Sequence, residues 1–151
     1  MAREELKLEN QLCFPLYACS RAITRAYAPL LEQANLTYTQ YLTMMALWEY
    51  GTTSVKELGQ RLLLDSGTLT PLLKKLEARG LITRSRDASD ERKLVISLTP
   101  AGEALEDVVA DVPRKMACNI ELSADEGRQL VTLLYQIIGD LTELQIGRAH
   151  V

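Results

Sequence analysis

The sequence predicts a mainly α-helical chain that carries one small β-hairpin and has long helices at both ends. Three observations predict it. Residues 12, 16, 19, 23, 26 and 30 are Leu, Leu, Cys, Ile, Ala and Leu, an alternating spacing of four and three that draws one apolar stripe along a helix. Helix-start signals recur at Thr37 with Gln40, Ser54 with Glu57, Thr99 with Pro100, and Ser123 with Glu126, each a side-chain acceptor or proline suited to unpaired N–H groups at a helix start. Between the second and third signals the period shifts: "LITRSR" and "KLVISL" are rich in β-formers and flank the polar turn "DASDER", which reads as a hairpin.

Taken in order, the first stripe ends near "QANL", and Pro15 places the helix start at about residues 11–14, because proline is costly in a helix interior but tolerated in the first turn. A second helix covers "YTQYLTMMALWEY" and stops at Gly51; a short one covers "VKELGQRL". The next begins near "DSGTLT", runs through "PLLKKLEARG" and stops at Gly80. After the hairpin, one helix starts at Pro100, and a last one carries Leu130, Leu133, Leu134, Ile137, Ile138 and Leu141. Two short helices followed by a hairpin is the order of a winged helix-turn-helix. The terminal stripes exceed what so small a centre can cover, and pairing across a two-fold axis in a homodimer buries them.

The chain has 151 residues, 47% hydrophobic and 25% charged, a length and composition expected of one soluble globular domain. That domain spans residues 1–144, with the winged helix-turn-helix at about 37–99 and dimerisation helices at about 11–33 and 100–144. The tail "QIGRAHV", residues 145–151, resembles the translation of a sequencing adapter and reads as non-native, with no functional role expected of it; the sole histidine, His150, lies in it. No apolar run approaches the roughly 18–20 residues of a membrane span, and the polar, acidic N-terminus is unlike a signal peptide. The expected compartment is the cytoplasm, with no membrane partner. Three scattered cysteines, Cys13, Cys19 and Cys118, lack zinc-site spacing and disulfide-scaffold density. No metal, cofactor or catalytic constellation is expected, so the chain does not read as an enzyme.

The net charge of −3 hides an asymmetry. Residues 56–93 hold nine Lys/Arg against six Asp/Glu, a local +3 inside an otherwise acidic chain, compatible with one DNA-facing module. Within it, Ser66, Thr68 and Thr70 open the second short helix, where free N–H groups and small hydroxyls can meet phosphates or base edges. Lys74 lies further along to meet the backbone. The hairpin supplies Arg84, Arg86, Arg92 and Lys93; a wing-tip arginine suits a narrow minor groove, and Asp90, two residues before Arg92, is placed to orient that guanidinium.

The stretch "DSGTLTPLLKKLEARGLITRSRDASDERKLVISLTPAG" resembles the signature of the MarR family of winged helix-turn-helix repressors, over nearly the whole chain outside the tail. The resemblance implies dimers that bind pseudo-palindromic operator double-stranded DNA. It also implies DNA contacts at Ser66, Thr68, Thr70, Arg84, Arg86 and Arg92, with Asp90 as orienting partner.

Cys13 falls at a helix start, where the dipole favours the thiolate, the form peroxides oxidise to sulfenic acid. Tyr17 is one turn on. Tyr27, fourteen residues away, shares the same face but lies about 21 Å along the helix, so only an antiparallel partner helix can bring it to a thiol. "LENQLCFPLYACSRAITRAY" and "LTYTQYLTMMALW" resemble the organic hydroperoxide resistance regulators, the OhrR branch of that family. That resemblance implies Cys13 as the thiol oxidised by an organic hydroperoxide, with Tyr27 and Tyr38, and in some members Tyr17, supporting it across the dimer. It also implies Cys118 as a resolving cysteine from the other subunit. "RKMACNIEL" equally fits a dimer core, in which case a small thiol completes the switch. Cys19, on the apolar stripe, reads as a buried hydrophobe. Two rivals follow: a repressor answering a phenolic or lipophilic ligand in the dimer cleft, and a thiol peroxidase, which the lack of CxxC and of a histidine outside the tail disfavours.

Overall fold

Residues 3–149 are described by a computed structural model, with side chains over residues 3–142; His150 and Val151 lie outside it. The chain divides into two units, residues 1–116 and 117–151.

In the first unit, two single 3-10 turns precede α1 (Cys13–Leu30), and a third, Glu32–Ala34, leads to α2 (Tyr38–Tyr50). Thr37 caps α2 in a full capping box: Thr37 Oγ1 accepts from the Gln40 N–H, and the Gln40 side chain accepts from the Thr37 N–H. A two-residue strand β1 (Thr53–Ser54) runs into α3 (Val55–Leu62), and a turn leads to α4 (Ser66–Ala78). The hairpin is β2 (Ile82–Arg86) and β3 (Leu94–Leu98), paired antiparallel from Ile82 opposite Leu98 to Arg86 opposite Leu94. Helices α5 (Pro100–Val109) and α6 (Val112–Ala117) follow.

Two features go beyond the sequence expectation. The hairpin gains a third strand, because Thr53 and Ser54 pair with Ile96 and Val95; two residues are too few to show a period. The segment after Thr99 is two helices, not one. Pro113 has no N–H to reach the Val109 carbonyl, so the ladder ends there and a new helix starts at Val112.

The core of this unit is built by α2, α3, α4 and the sheet. Met44, Leu47, Leu58, Leu69, Leu76 and Ile96 are fully buried. Gly102 lets α5 lie against the loop before the sheet: a Cβ there would stand 2.0 Å from the Leu81 carbonyl oxygen. The Gly102 carbonyl in turn accepts from Trp48 Nε1 at 2.9 Å, tying α5 to α2. By contrast, no residue of α1 is buried. Cys19 is exposed, which corrects its reading as a buried hydrophobe: its stripe is real, with Leu16, Ile23, Ala26 and Leu30 half-buried, but nothing described within the first unit covers it at that level.

The second unit holds α7 (Ala124–Ala149). Its start is the expected capping box, with Ser123 Oγ accepting from the Glu126 N–H and the Glu126 carboxylate accepting from the Ser123 N–H. Leu130, Val131, Leu133, Tyr135, Ile138 and Leu141 are exposed along it. The backbone helix continues through Ala149, while the side chains of the tail lie outside the described residues. Among the described residues, no helix is long and apolar enough to cross a membrane.

Candidate thiol switch and nucleic-acid interface

Cys13 is the first residue of α1 and is exposed. Leu12, at the cap position, makes no side-chain cap bond, so the free N–H groups of the first turn are left open beside the thiol. Pro15 is the third helical residue, where the missing N–H would have had no partner. Tyr17 is also exposed, and its ring lies under the Arg21 guanidinium, 5.6 Å away.

Tyr27 and Tyr38 come together within the chain. Their rings stack at 4.4 Å between centroids and 22° between planes. Tyr41, one turn along α2, completes the cluster at 5.8 Å from Tyr27 and 6.5 Å from Tyr38. Burial raises all three phenols above their usual range; the Tyr38 phenol adds to this for Tyr27, and both neighbours add to it for Tyr41. A phenol is protonated at neutral pH in any case, and the raised values extend the donor form further into the alkaline range. Sequence reasoning missed Tyr41, although "YTQY" places it one turn from Tyr38 on the same helix face. Cys118 is exposed just after α6 and belongs to the second unit.

The helix-turn-helix is α3, the turn 63–65, and α4. Gly59 permits the close turn, since a Cβ there would meet the Leu64 carbonyl oxygen at 2.9 Å. Leu63 pays for the same turn with a left-handed backbone, φ 56°. Asp65 caps α4: its carboxylate accepts from the Thr68 N–H at 2.7 Å, a bond that holds the carboxyl below its usual range. Ser66, Thr68 and Lys74 are exposed on α4, whereas Thr70 is half-buried.

In the wing, Arg86 and Arg92 are exposed, but Arg84 is not free. It shares the strand face of buried Ile82, which turns it toward α4, where Nη2 pairs with Glu77 at 3.1 Å. That bond holds the Glu77 carboxyl below its usual range. Here Arg84 braces the wing against α4 instead of pointing outward. Asp90 also differs from expectation. Its carboxylate accepts from the Arg92 backbone N–H at 3.0 Å, not from the guanidinium, because an aspartate reaches most readily the N–H two residues on. Asp87 does the same for Ser89. Asp90 thus shapes the turn that presents Arg92. An open groove of ≈ 1090 Å³ lies between α3, α4 and this turn, edged by Lys56, Gln60, Ser66, Arg92 and Lys93. Lys56 and Gln60 on α3 were not foreseen; the first helix of such a motif crosses the DNA backbone, and that register could have pointed to them.

Residues 25–108 match the transcriptional regulator SarA/Rot family. The chain is 48% identical over 138 residues to the organic hydroperoxide resistance transcriptional regulator of Bacillus subtilis (strain 168), covering 91% of this chain and 94% of the relative. Among solved structures, reduced AbfR bound to DNA aligns with a TM-score of 0.79 and 34% identity over 95% of this chain and 99% of that one. Disulfide-formed AbfR aligns with a TM-score of 0.63 and 36% identity over 93% and 95%; AbfR is a Staphylococcus epidermidis protein. These relatives are regulators, not enzymes.

Proposed function

The chain belongs to the MarR-type organic hydroperoxide resistance regulators, and from that membership we propose that it is a homodimeric repressor that grips operator DNA while Cys13 is reduced. An organic hydroperoxide oxidises Cys13 and the operator is released. The observation that carries this reading is the exposed cysteine at the first residue of α1, in a chain whose helix-turn-helix and wing present Ser66, Thr68, Lys74, Arg86 and Arg92 to solvent. A relative bound to DNA in its reduced form and another structure of it with a disulfide formed support the same cycle. Such a repressor works in the cytoplasm.

The chemistry balances in two steps. The Cys13 thiolate attacks the outer oxygen of ROOH and the O–O bond breaks. Cys13 becomes a sulfenic acid, and the leaving alkoxide takes a proton to depart as ROH. The partner's Tyr27 and Tyr38 phenols donate to the thiolate. The thiol of the partner's Cys118 then attacks the sulfenic sulfur, forming the disulfide and releasing water. A cross-link between subunits changes the spacing of the two recognition helices, and two half-sites a fixed distance apart no longer fit.

On the DNA side, the start of α4 enters the major groove with Ser66 and Thr68. Lys74 and Lys56 meet phosphates, and Arg92 reaches the minor groove from the turn that Asp90 shapes. The test is titration of a labelled duplex before and after cumene hydroperoxide, with thiol state read by mass. Cys13→Ser keeps the affinity of the reduced protein and ignores the peroxide. A Cys13→Ser protein that still lets go on treatment defeats the proposal and favours a second reading, in which an apolar or phenolic ligand acts. The groove of ≈ 410 Å³ between α2 and α5–α6, lined by Tyr41, Met45 and Trp48, is where that ligand would sit.

A further inference from the structure

We infer that Arg79, at the end of the recognition helix α4, is a positioning residue through which the tyrosine pair governs that helix. The inference deepens the function proposed above and rests on it. Tyr27 and Tyr38 are eleven residues apart, yet their rings stack at 4.4 Å. The segment between them is therefore a loop closed at its base by two rings. Backbone hydrogen bonds run from one ring to the loop's tip: Leu31 N–H donates to the Tyr27 carbonyl at 3.0 Å, and Ala34 N–H donates to the Leu31 carbonyl at 3.1 Å. Leu31 and Ala34 are buried, so the loop is seated and transmits displacement instead of absorbing it. At the tip, Asn35 takes a left-handed turn, φ 51°.

Arg79 grips that tip. Its Nη2 donates to the Ala34 carbonyl at 2.9 Å and its Nη1 to the Asn35 carbonyl at 2.5 Å. These carbonyls end a 3-10 turn and have no partner within it, and a planar guanidinium fits two neighbouring acceptors at once, as a lysine cannot. Arg79 itself closes α4, its N–H bonding the Lys75 carbonyl. The next residue, Gly80, accepts from Thr99 Oγ1 at 2.6 Å, which fixes the cap of α5. Arg79 is exposed, and α4 is anchored independently by buried Leu69, Leu73 and Leu76. The two bonds are therefore not needed to keep α4 folded in place. They join the end of the helix that reads DNA to the loop clasped by the tyrosines that support the thiol. When oxidation of Cys13 withdraws the acceptor from those phenols, the shift in the ring pair reaches α4 through Arg79.

The experiment compares the full-length wild type with Arg79→Gln and Arg79→Lys, reduced and after cumene hydroperoxide. The probe is a labelled duplex that the reduced wild type selects from a random-sequence pool, and Cys13 oxidation is measured by mass. Reduced Arg79→Gln is expected to bind within about threefold of wild type and to oxidise at the wild-type rate. Its reduced-to-oxidised affinity ratio is expected to fall by about fivefold or more, with Arg79→Lys in between. If Arg79→Gln releases the duplex by the wild-type ratio once oxidised, the inference is overturned. Hydrogen exchange at the Gly80 and Leu81 amides reads the same link without DNA: a change on oxidation in wild type that is absent in Arg79→Gln supports it, and an equal change in both overturns it. Wild type that keeps the duplex with Cys13 in its disulfide defeats the functional reading and this inference together, whereas equal release by wild type and Arg79→Gln defeats only the inference.

Discussion

Tyr27, Tyr38 and Tyr41 combine two requirements that pull in opposite directions. A donor to a thiolate must keep its proton, which a phenol does at neutral pH, and burial disfavours the phenolate further. The same burial ties the cluster to pH. A phenol with a raised folded pKa adds stability that is fully present below its unfolded value of about 10 and disappears as pH climbs through the folded value. Thermal melts at rising alkaline pH should therefore show wild type losing stability more steeply than Tyr38→Phe. At neutral pH, Tyr27→Phe and Tyr38→Phe should fold normally but form sulfenic acid at Cys13 about tenfold more slowly, measured by stopped-flow with cumene hydroperoxide. Unchanged rates in both variants would remove the tyrosines from the switch. Leu63 offers a residue-scale test of a different kind. Its left-handed backbone costs about 1–2 kcal/mol, its side chain is 62% exposed, and Leu63→Gly should raise stability by about 0.5–1 kcal/mol in urea denaturation.

At the scale of elements, close packing around Gly102 makes the strongest stability prediction. A methyl group there meets the Leu81 carbonyl, whose oxygen also accepts the Thr99 N–H at 3.1 Å. Neither backbone segment can retreat without breaking the join between sheet and α5. Gly102→Ala should cost about 3 kcal/mol, at the upper end for overpacking, and a shift in the urea midpoint would show it. Most elements were legible beforehand, because their signals are local. Thr37, Ser54, Thr99 and Ser123 each cap the helix they precede, and the hairpin follows from β-formers around a polar turn. What was illegible depends on partners remote in sequence. β1 exists only because β3 offers Val95 and Ile96. Arg84 turns inward because Glu77 waits on α4, and nothing in "LITRSR" separates it from Arg86. Cys19 sits on a stripe that periodicity identifies, but periodicity does not say whether this chain or another covers it.

For the whole molecule, each unit carries apolar side chains left exposed among the described residues: Leu12 and Cys19 on the α1 stripe in the first, and Leu133, Ile138 and Leu141 on α7 in the second. In the proposed homodimer a second copy buries them, and the proposed disulfide joins Cys13 of one subunit to Cys118 of the other. This arrangement predicts complementation. Neither Cys13→Ser nor Cys118→Ser homodimers can form the bond. In a refolded equal mixture, about half the dimers are mixed by random pairing of subunits, and each mixed dimer holds one intact cysteine of each kind, on different subunits. Cumene hydroperoxide should cross-link that fraction, read as a covalent dimer on a non-reducing gel with a Cys13–Cys118 peptide by mass. A disulfide within one subunit gives the opposite pattern, since no subunit in the mixture carries both cysteines. The same mixed dimers, with only one of their two cross-links available, should lose operator affinity on oxidation, because displacing one recognition helix already spoils the spacing of two half-sites. A mixture that shows no cross-link, beside a wild type that forms the Cys13–Cys118 bond, would place the disulfide within one chain and remove the dimer from the chemistry of the switch.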